Sequence, residues 1–144
     1  MKKKLLSLLL ALAMVFTLAA CGEKKPDPGK DATATEPVVI LHTNDVHGAI
    51  SGYAKVAALK KAYEAEGAYV LLMDAGDFCQ GDTAVSVSEG ATAVELMNMV
   101  GYDAVALGNH EFDYGFEALK KNMENAQFPV LAANVKYNGE LAFD

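Results

Sequence analysis

The stretch AVALGNHEFDYG, Ala104 to Gly115, joins four apolar residues to a run of polar ones. The apolar part is too short for a helix and does not alternate with polar residues, which is typical of a strand buried on both faces. Asn, His, Glu and Asp side chains are costly to bury unless hydrogen bonds or a cation satisfy them. The stretch therefore predicts a buried strand that ends where a bound ion satisfies its polar groups.

Three further apolar runs have the same character: Val38 to Leu41, Tyr69 to Met73 and Pro129 to Ala133. Between the runs, apolar residues recur at helical spacing. The three stripes are Val56, Leu59 and Tyr63; Ala93, Met97 and Val100; and Phe116, Leu119, Met123 and Ala126. This β-α-β-α-β-α-β order predicts a layered α/β fold with a largely parallel sheet. Asn138-Gly139, after the fourth run, predicts a hairpin.

The N-terminal segment predicts export. Met1 to Lys4 carries three lysines and Leu5 to Ala20 is almost entirely apolar, as in a secretory signal. Small residues before Cys21 resemble a bacterial lipobox, so we expect removal of residues 1–20, acylation of Cys21 and an extracytoplasmic protein anchored by lipid to a bacterial membrane. A transmembrane anchor is the alternative, although the apolar run is short for a span. Residues 21–36 are expected to form a disordered tether, which leaves residues 37–144 for the fold.

Charge and cysteine content narrow the class of protein. The chain has 19 acidic residues against 12 basic ones, a formal net charge of −7, and every basic residue is Lys. Such a chain lacks the basic footprint of a nucleic-acid-binding protein. Cys79 is the only cysteine besides Cys21, so the acylated protein can form no intrachain disulfide. We expect Cys79 to fill space in the interior rather than to act as a reactive thiol.

Polar residues follow each predicted strand at its C-terminal end. Ligands of open α/β sheets bind beyond these ends, so we expect the loops to converge. Mixed Asp, His and Asn ligands suit Zn, Mn or Fe and do not suit Ca, which prefers oxygen. The candidate ligands are Asp45, His47, Asp77 and Asn109. Asp74 and Glu111 are expected to brace loops as hydrogen-bond acceptors, and His42 to be a structural, hydrogen-bonded residue.

Three segments together carry a family resemblance. ILHTNDVHG (Ile40 to Gly48), GDFCQG (Gly76 to Gly81) and GNHEFDYG (Gly108 to Gly115) resemble the first three metal motifs of the calcineurin-like metallophosphoesterases. The third motif, together with FPVLAANV (Phe128 to Val135), is similar to the 5′-nucleotidase and UDP-sugar hydrolase branch. The resemblance implies the first half of an α/β/β/α sandwich, two divalent metal ions, and hydrolysis of nucleotides or other phosphate esters.

The resemblance also implies roles for individual residues. Asp45 and His47 would hold one metal, Asp77 would bridge both, and Asn109 would bind the second. The catalytic pair would be His110, facing the phosphoryl group, and Asp113, hydrogen-bonded to it. The resemblance identifies no residues that bind the rest of the substrate.

The chain departs from the family in its histidines. The family completes both metal sites with downstream histidines, and the 5′-nucleotidase branch adds a C-terminal substrate-binding domain. This chain has three histidines and none after His110. We therefore expect the N-terminal part of a catalytic domain, inactive alone. Alternatives are a relative that acts on 2′,3′-cyclic nucleotides or sulfur esters, and a non-catalytic lipoprotein that binds a metal or ligand.

Overall fold

Strands and helices alternate in the predicted order in a computed structural model, which describes residues 36–143. Four strands form one sheet in sequence order, and each neighbouring pair is parallel. They are β1 (Val38–Thr43), β2 (Tyr69–Asp74), β3 (Ala104–Ala106) and β4 (Val130–Leu131). The predicted α/β architecture with a parallel sheet is confirmed.

Four helices and one 3-10 turn connect the strands. They are α1 (Ile50–Ala65), α2 (Thr83–Val87), α3 (Ala91–Val100), the 3-10 turn His110–Phe112 and α4 (Phe116–Asn125). The short helix α2 was not predicted, because five residues are too few to show helical periodicity. Asp82 caps its N-terminus, and the Asp82 side chain accepts a hydrogen bond of 3.0 Å from the Ala84 N–H.

The helices cover one face of the sheet and form the core with it. Leu72 of β2 and Val105 of β3 pack on that face against Tyr53 of α1 and Met97 of α3. Leu119 of α4 is also buried. Burying one such aliphatic side chain is worth roughly 1.5–3 kcal/mol. The predicted stripes therefore hold α3 and α4 on the sheet. The stripe predicted for α1 is only partly right, because this helix packs through Tyr53 and Val56 while Leu59 is 47% exposed.

The opposite face of the sheet remains open in residues 36–143. Val38, Ile40, Tyr69 and Leu131 are 63%, 57%, 61% and 61% exposed. The expectation that the strands are buried on both faces is therefore wrong for the described residues, because their helices cover one face only. These residues supply one four-stranded sheet and a separate two-stranded one. A continuously apolar strand can be buried on both faces, but other residues must cover the second face.

The predicted hairpin at Asn138-Gly139 is confirmed. Strands β5 (Lys136–Tyr137) and β6 (Glu140–Leu141) are antiparallel. Asn138 and Gly139 have φ values of 52° and 91°, and two positive φ values in succession are what a type I′ turn of a two-residue hairpin loop requires. The hairpin contacts α4 through a stacked pair of rings, Tyr137 and Phe116, with centroids 3.9 Å apart.

The predictions for the N-terminal segment lie outside the described residues. They are the signal in residues 1–20, the acylated Cys21 and nearly all of the tether in residues 21–36. Within residues 36–143, no helix is both long enough and apolar enough to cross a membrane.

Candidate metal centre

The loops after β1 and β2 are joined by backbone hydrogen bonds at the C-terminal end of the sheet. The Asp45 N–H donates to the Gly76 carbonyl at 3.1 Å, and the His47 N–H donates to the Asp77 carbonyl at 3.0 Å. The two loops therefore run side by side beyond the strands, which is where an open α/β sheet binds ligands.

This pairing brings three predicted metal ligands together. Ligand atoms of Asp45, His47 and Asp77 all lie within 4.8 Å of one another. The His47 Nε2 is 3.5 Å from the Asp45 Oδ1. Since Zn–N and Zn–O bonds are about 2.1 Å long, ligand atoms on one ion are at most about 4.2 Å apart. A small side-chain adjustment thus places all three groups on one cation.

The same three residues have an unusual backbone conformation. The φ values are 51° for Asp45, 46° for His47 and 62° for Asp77. A positive φ is uncommon for residues other than glycine, and strained conformations of this kind cluster at functional sites, where surrounding contacts enforce them. These positive φ values at the ligands were not predicted from the sequence.

The loop after β3 adds the predicted catalytic pair. The Asp113 Oδ2 lies 2.7 Å from the His110 Nδ1, and this contact raises the pKa of His110. The backbone N–H of His110 donates to the Asp77 Oδ1 at 2.8 Å, and the rings of His110 and His47 have centroids 5.0 Å apart. Asn109 is exposed and directly precedes His110 at the start of the 3-10 turn. The third loop therefore approaches the ligand cluster through Asp77.

Glu111 braces two of the loops, as predicted. It is 2% exposed and accepts four backbone N–H groups. Its Oε1 takes those of Phe78 and Cys79 at 2.8 and 3.1 Å, and its Oε2 takes those of Asp77 and Gly108 at 2.8 and 2.7 Å. One buried carboxylate therefore fixes the loop after β2 to the loop after β3.

Asp74 braces the adjacent turn, which confirms the second prediction of this kind. Its carboxylate accepts from the Thr43 hydroxyl and, at 2.7 Å, from the Gly76 N–H. Thr43 also shares a hydrogen bond of 2.9 Å with the Tyr102 hydroxyl. Burial raises the pKa of Asp74 to about 6 against the lowering effect of these hydrogen bonds.

Two glycines allow the loops to approach so closely. A Cβ atom on Gly108 would collide with the Asp77 carboxylate, and one on Gly76, where φ is 106°, would collide with the Gly108 backbone. No other residue fits at either position without moving a loop. The glycines in the GDFCQG and GNHEFDYG segments are therefore part of the site's geometry.

His42 and Cys79 lie outside the ligand cluster. His42 is exposed on the open face of β1 and makes no side-chain hydrogen bond within residues 36–143, so the expectation of a hydrogen-bonded role is not met there. Cys79 is 1% exposed, and burial raises the pKa of its thiol. This agrees with the expected space-filling role.

Gln80 belongs to the site and was not singled out by the sequence. Its terminal amide lies between the two histidine rings, 3.4 Å from the His47 Nδ1 and 3.2 Å from the His110 Nδ1. Its place inside GDFCQG, one residue before the closing glycine, was the only available signal.

Comparison with known proteins agrees with this geometry. Residues 38–142 match the calcineurin-like phosphoesterase family. The 5′-nucleotidase of Vibrio vulnificus is 37% identical over 93% of this chain and 26% of its own length. The rat 5′-nucleotidase is 39% identical over 73% of this chain and 21% of its own.

A solved structure shows the same relationship. The 5′-nucleotidase precursor of Thermus thermophilus aligns with a TM-score of 0.62 and 34% identity, over 67% of this chain and 22% of that one. The chain thus spans about a fifth to a quarter of the length of these relatives.

Proposed function

Because the chain belongs to the calcineurin-like phosphoesterase family, we propose that it acts on phosphate esters at the Asp45–His47–Asp77 cluster, and that nucleotides are the substrates. The observation that carries this proposal is the meeting of the cluster with the His110–Asp113 pair at one end of the sheet. The names of the relatives, 5′-nucleotidases, support the choice of nucleotides.

The donor set fits borderline divalent cations such as Zn, Mn or Fe. Asp45, His47 and Asp77 would hold one ion, and Asp77 with Asn109 would hold a second. A bound divalent ion supplies Lewis acidity and lowers the pKa of water to about 7. The protein contributes the placement: Glu111 fixes the backbone of Asp77, and Asp77 in turn accepts from the His110 N–H.

The His110–Asp113 pair determines which ring nitrogen serves the substrate. A carboxylate can only accept, so the Asp113 contact at 2.7 Å keeps a proton on the His110 Nδ1. The Nε2 is then free to donate to a phosphoryl oxygen or to protonate the leaving oxygen. The raised pKa of His110 favours the protonated ring that either role requires.

We further propose that the 144-residue chain alone has little or no phosphoesterase activity. Within residues 36–143 the site offers three donors to the first cation and two to the second. Catalytic zinc sites use three protein ligands and an open position. The first site reaches that minimum and the second does not, because only two of the chain's three histidines lie here.

Titration calorimetry of the full chain with Mn²⁺ tests the proposal, followed by ³¹P NMR of AMP in the presence of the loaded protein. We expect one Mn²⁺ to bind with measurable heat, and the AMP phosphorus signal to broaden beyond the level produced by free Mn²⁺. His110→Ala should keep the metal and lose most of the broadening. Absence of Mn²⁺ binding, or AMP broadening that is equal in the variant, would refute the assigned site.

An activity assay tests the expected weakness. The full chain with Mn²⁺ or Zn²⁺ is given p-nitrophenyl phosphate and AMP beside His110→Ala. Little or no hydrolysis is expected from either protein. Sustained turnover that requires metal and disappears in the variant would show that the chain needs no further ligands.

We also propose that Cys21 anchors the protein by lipid outside the cytoplasm. The support is the sequence alone: a charged and apolar leader, small residues before Cys21 and a polar tether after it. In this arrangement the catalytic site would face substrates outside the cell membrane.

A further inference from the structure

The Gln80 side chain contacts both histidines of the site. Its amide nitrogen is 3.4 Å from the His47 Nδ1 and 3.2 Å from the His110 Nδ1. Both ring nitrogens therefore meet the same amide group, which is half-buried in the loop between Gly76 and Gly81.

An amide NH₂ group does not suit the position of Gln80 beside the His110 Nδ1. The His110 Nδ1 already carries a proton, because its partner at 2.7 Å is the Asp113 carboxylate. An NH₂ group beside it would set one donor against another. The orientation of a Gln amide is assigned from its hydrogen-bond network, since O and N have nearly the same shape. Rotating the amide by half a turn puts its oxygen between the rings, where it accepts from the His110 Nδ1–H.

His47 requires the same acceptor. Its Nε2 points toward Asp45, at 3.5 Å from the Oδ1. If the Nε2 binds a cation, the ring proton must sit on the Nδ1, and metal-bound histidines almost always donate this proton to an acceptor. The Gln80 amide is at that position, 3.4 Å from the Nδ1. One oxygen can accept from both rings because a carbonyl has two lone pairs.

We propose that Gln80 is a positioning residue whose amide oxygen accepts the Nδ1–H of His47 and shares the Nδ1–H of His110 with the nearer Asp113 carboxylate. The assignment rests on the proposed function for the role of the two histidines. Gln80 keeps the ring proton of both histidines on the Nδ1, so that His47 presents an unprotonated Nε2 to the metal and the Nε2 of His110, once protonated, faces the phosphate. It also ties the orientation of the phosphate-facing ring to that of the metal ligand.

The test compares two variants and one control in the full chain. Gln80→Leu removes the acceptor with little change of shape, and Gln80→Glu keeps acceptor oxygens without the NH₂ group. Gln127→Leu makes the same change at an exposed position before β4, at the other end of the sheet. Long-range ¹H–¹⁵N spectra of the histidine rings, recorded without metal at alkaline pH, report the tautomer. The chain has three histidines, and His42 on the open face serves as the internal reference.

We expect His47 to be mainly Nδ1–H in the wild type, in Gln80→Glu and in Gln127→Leu, and to become a mixture of tautomers in Gln80→Leu. His110 should change less, because Asp113 still holds its proton. Mn²⁺ affinity should fall about 10-fold or more in Gln80→Leu, the usual cost of losing such a partner, and should be kept in Gln80→Glu. Thermal melting of each variant checks that the fold is intact.

An unchanged His47 tautomer in Gln80→Leu would overturn the proposal, as would its loss in Gln80→Glu. A wild-type chain that binds no Mn²⁺ would refute the proposed function, and the metal-free tautomer comparison would then decide the role of Gln80 by itself.

Discussion

Glu111 provides the sharpest test of how the site is held together, through the substitution Glu111→Gln. The amide oxygen can replace one carboxylate oxygen of Glu111. The NH₂ group then takes the place of the second oxygen and faces the two backbone N–H groups that this oxygen accepted. A hydrogen bond to a charged group is worth about 1.5–3 kcal/mol, so losing two of them costs about 3–6 kcal/mol. This is a large share of the roughly 5–15 kcal/mol that stabilises a typical domain. We therefore expect strong destabilisation from a change of one atom.

Urea unfolding of the metal-free protein, followed by far-ultraviolet circular dichroism, measures this cost. With a slope on the order of 2 kcal/mol per molar urea, the midpoint should fall by roughly 2 M. Glu64→Gln is the matched control, because Glu64 is exposed on α1; its effect should stay within about 0.5 kcal/mol. A Glu111→Gln protein within about 1 kcal/mol of the wild type would refute the reasoning, since four short hydrogen bonds to a 2%-exposed carboxylate would then contribute almost nothing.

Three further predictions concern separate parts of the chain. The pKa of Asp74 is raised to about 6, so its contribution to stability is complete below pH 4 and is lost as pH rises through 6. Asp74→Asn should therefore keep about 3 kcal/mol of unfolding free energy that the wild type loses between pH 4 and 7. Urea unfolding of the metal-free proteins measures this, and parallel pH profiles of the two proteins would contradict it. Asp77→Ala should abolish Mn²⁺ binding in calorimetry while His42→Ala leaves it intact, and equal losses would mean that His42 is misassigned. Mass spectrometry of the membrane-extracted protein should show a diacylglyceryl group on Cys21 as the N-terminal residue, whereas an N-terminus at Met1 would exclude the anchor.

The parts of the fold that were predictable are those encoded locally. Strands, helices α1, α3 and α4, and the hairpin at Asn138-Gly139 follow from periodicity and turn chemistry within a few residues. Helix α2 was missed because its five residues hold little more than one helical turn, too few for an apolar stripe to recur. The open face of the sheet was also missed, because Val38 and Leu131 carry the same apolar signal whether or not a second layer covers them.

The candidate site was also predictable only in part. Asp45, His47 and Asp77 were predictable because each follows an apolar strand, and parallel strands bring their C-terminal ends together. Their positive φ values were not, since these depend on hydrogen bonds to loops about thirty residues away. The position of Gln80 between two histidine rings depends on the same folding of the loops, and no spacing in the sequence reports it. Gln80 meets both rings because the loops after β1, β2 and β3 come together.

The central claim is that Asp45, His47 and Asp77 bind a divalent metal where the strands end. Anomalous X-ray diffraction from crystals of the full chain grown with Mn²⁺ tests this most directly. The account predicts a manganese peak bonded to the His47 Nε2 and to the carboxylates of Asp45 and Asp77, with any second ion sharing Asp77 on the side of Asn109. Saturating Mn²⁺ with no peak within bonding distance of these three side chains, or a peak only elsewhere on the surface, would contradict it.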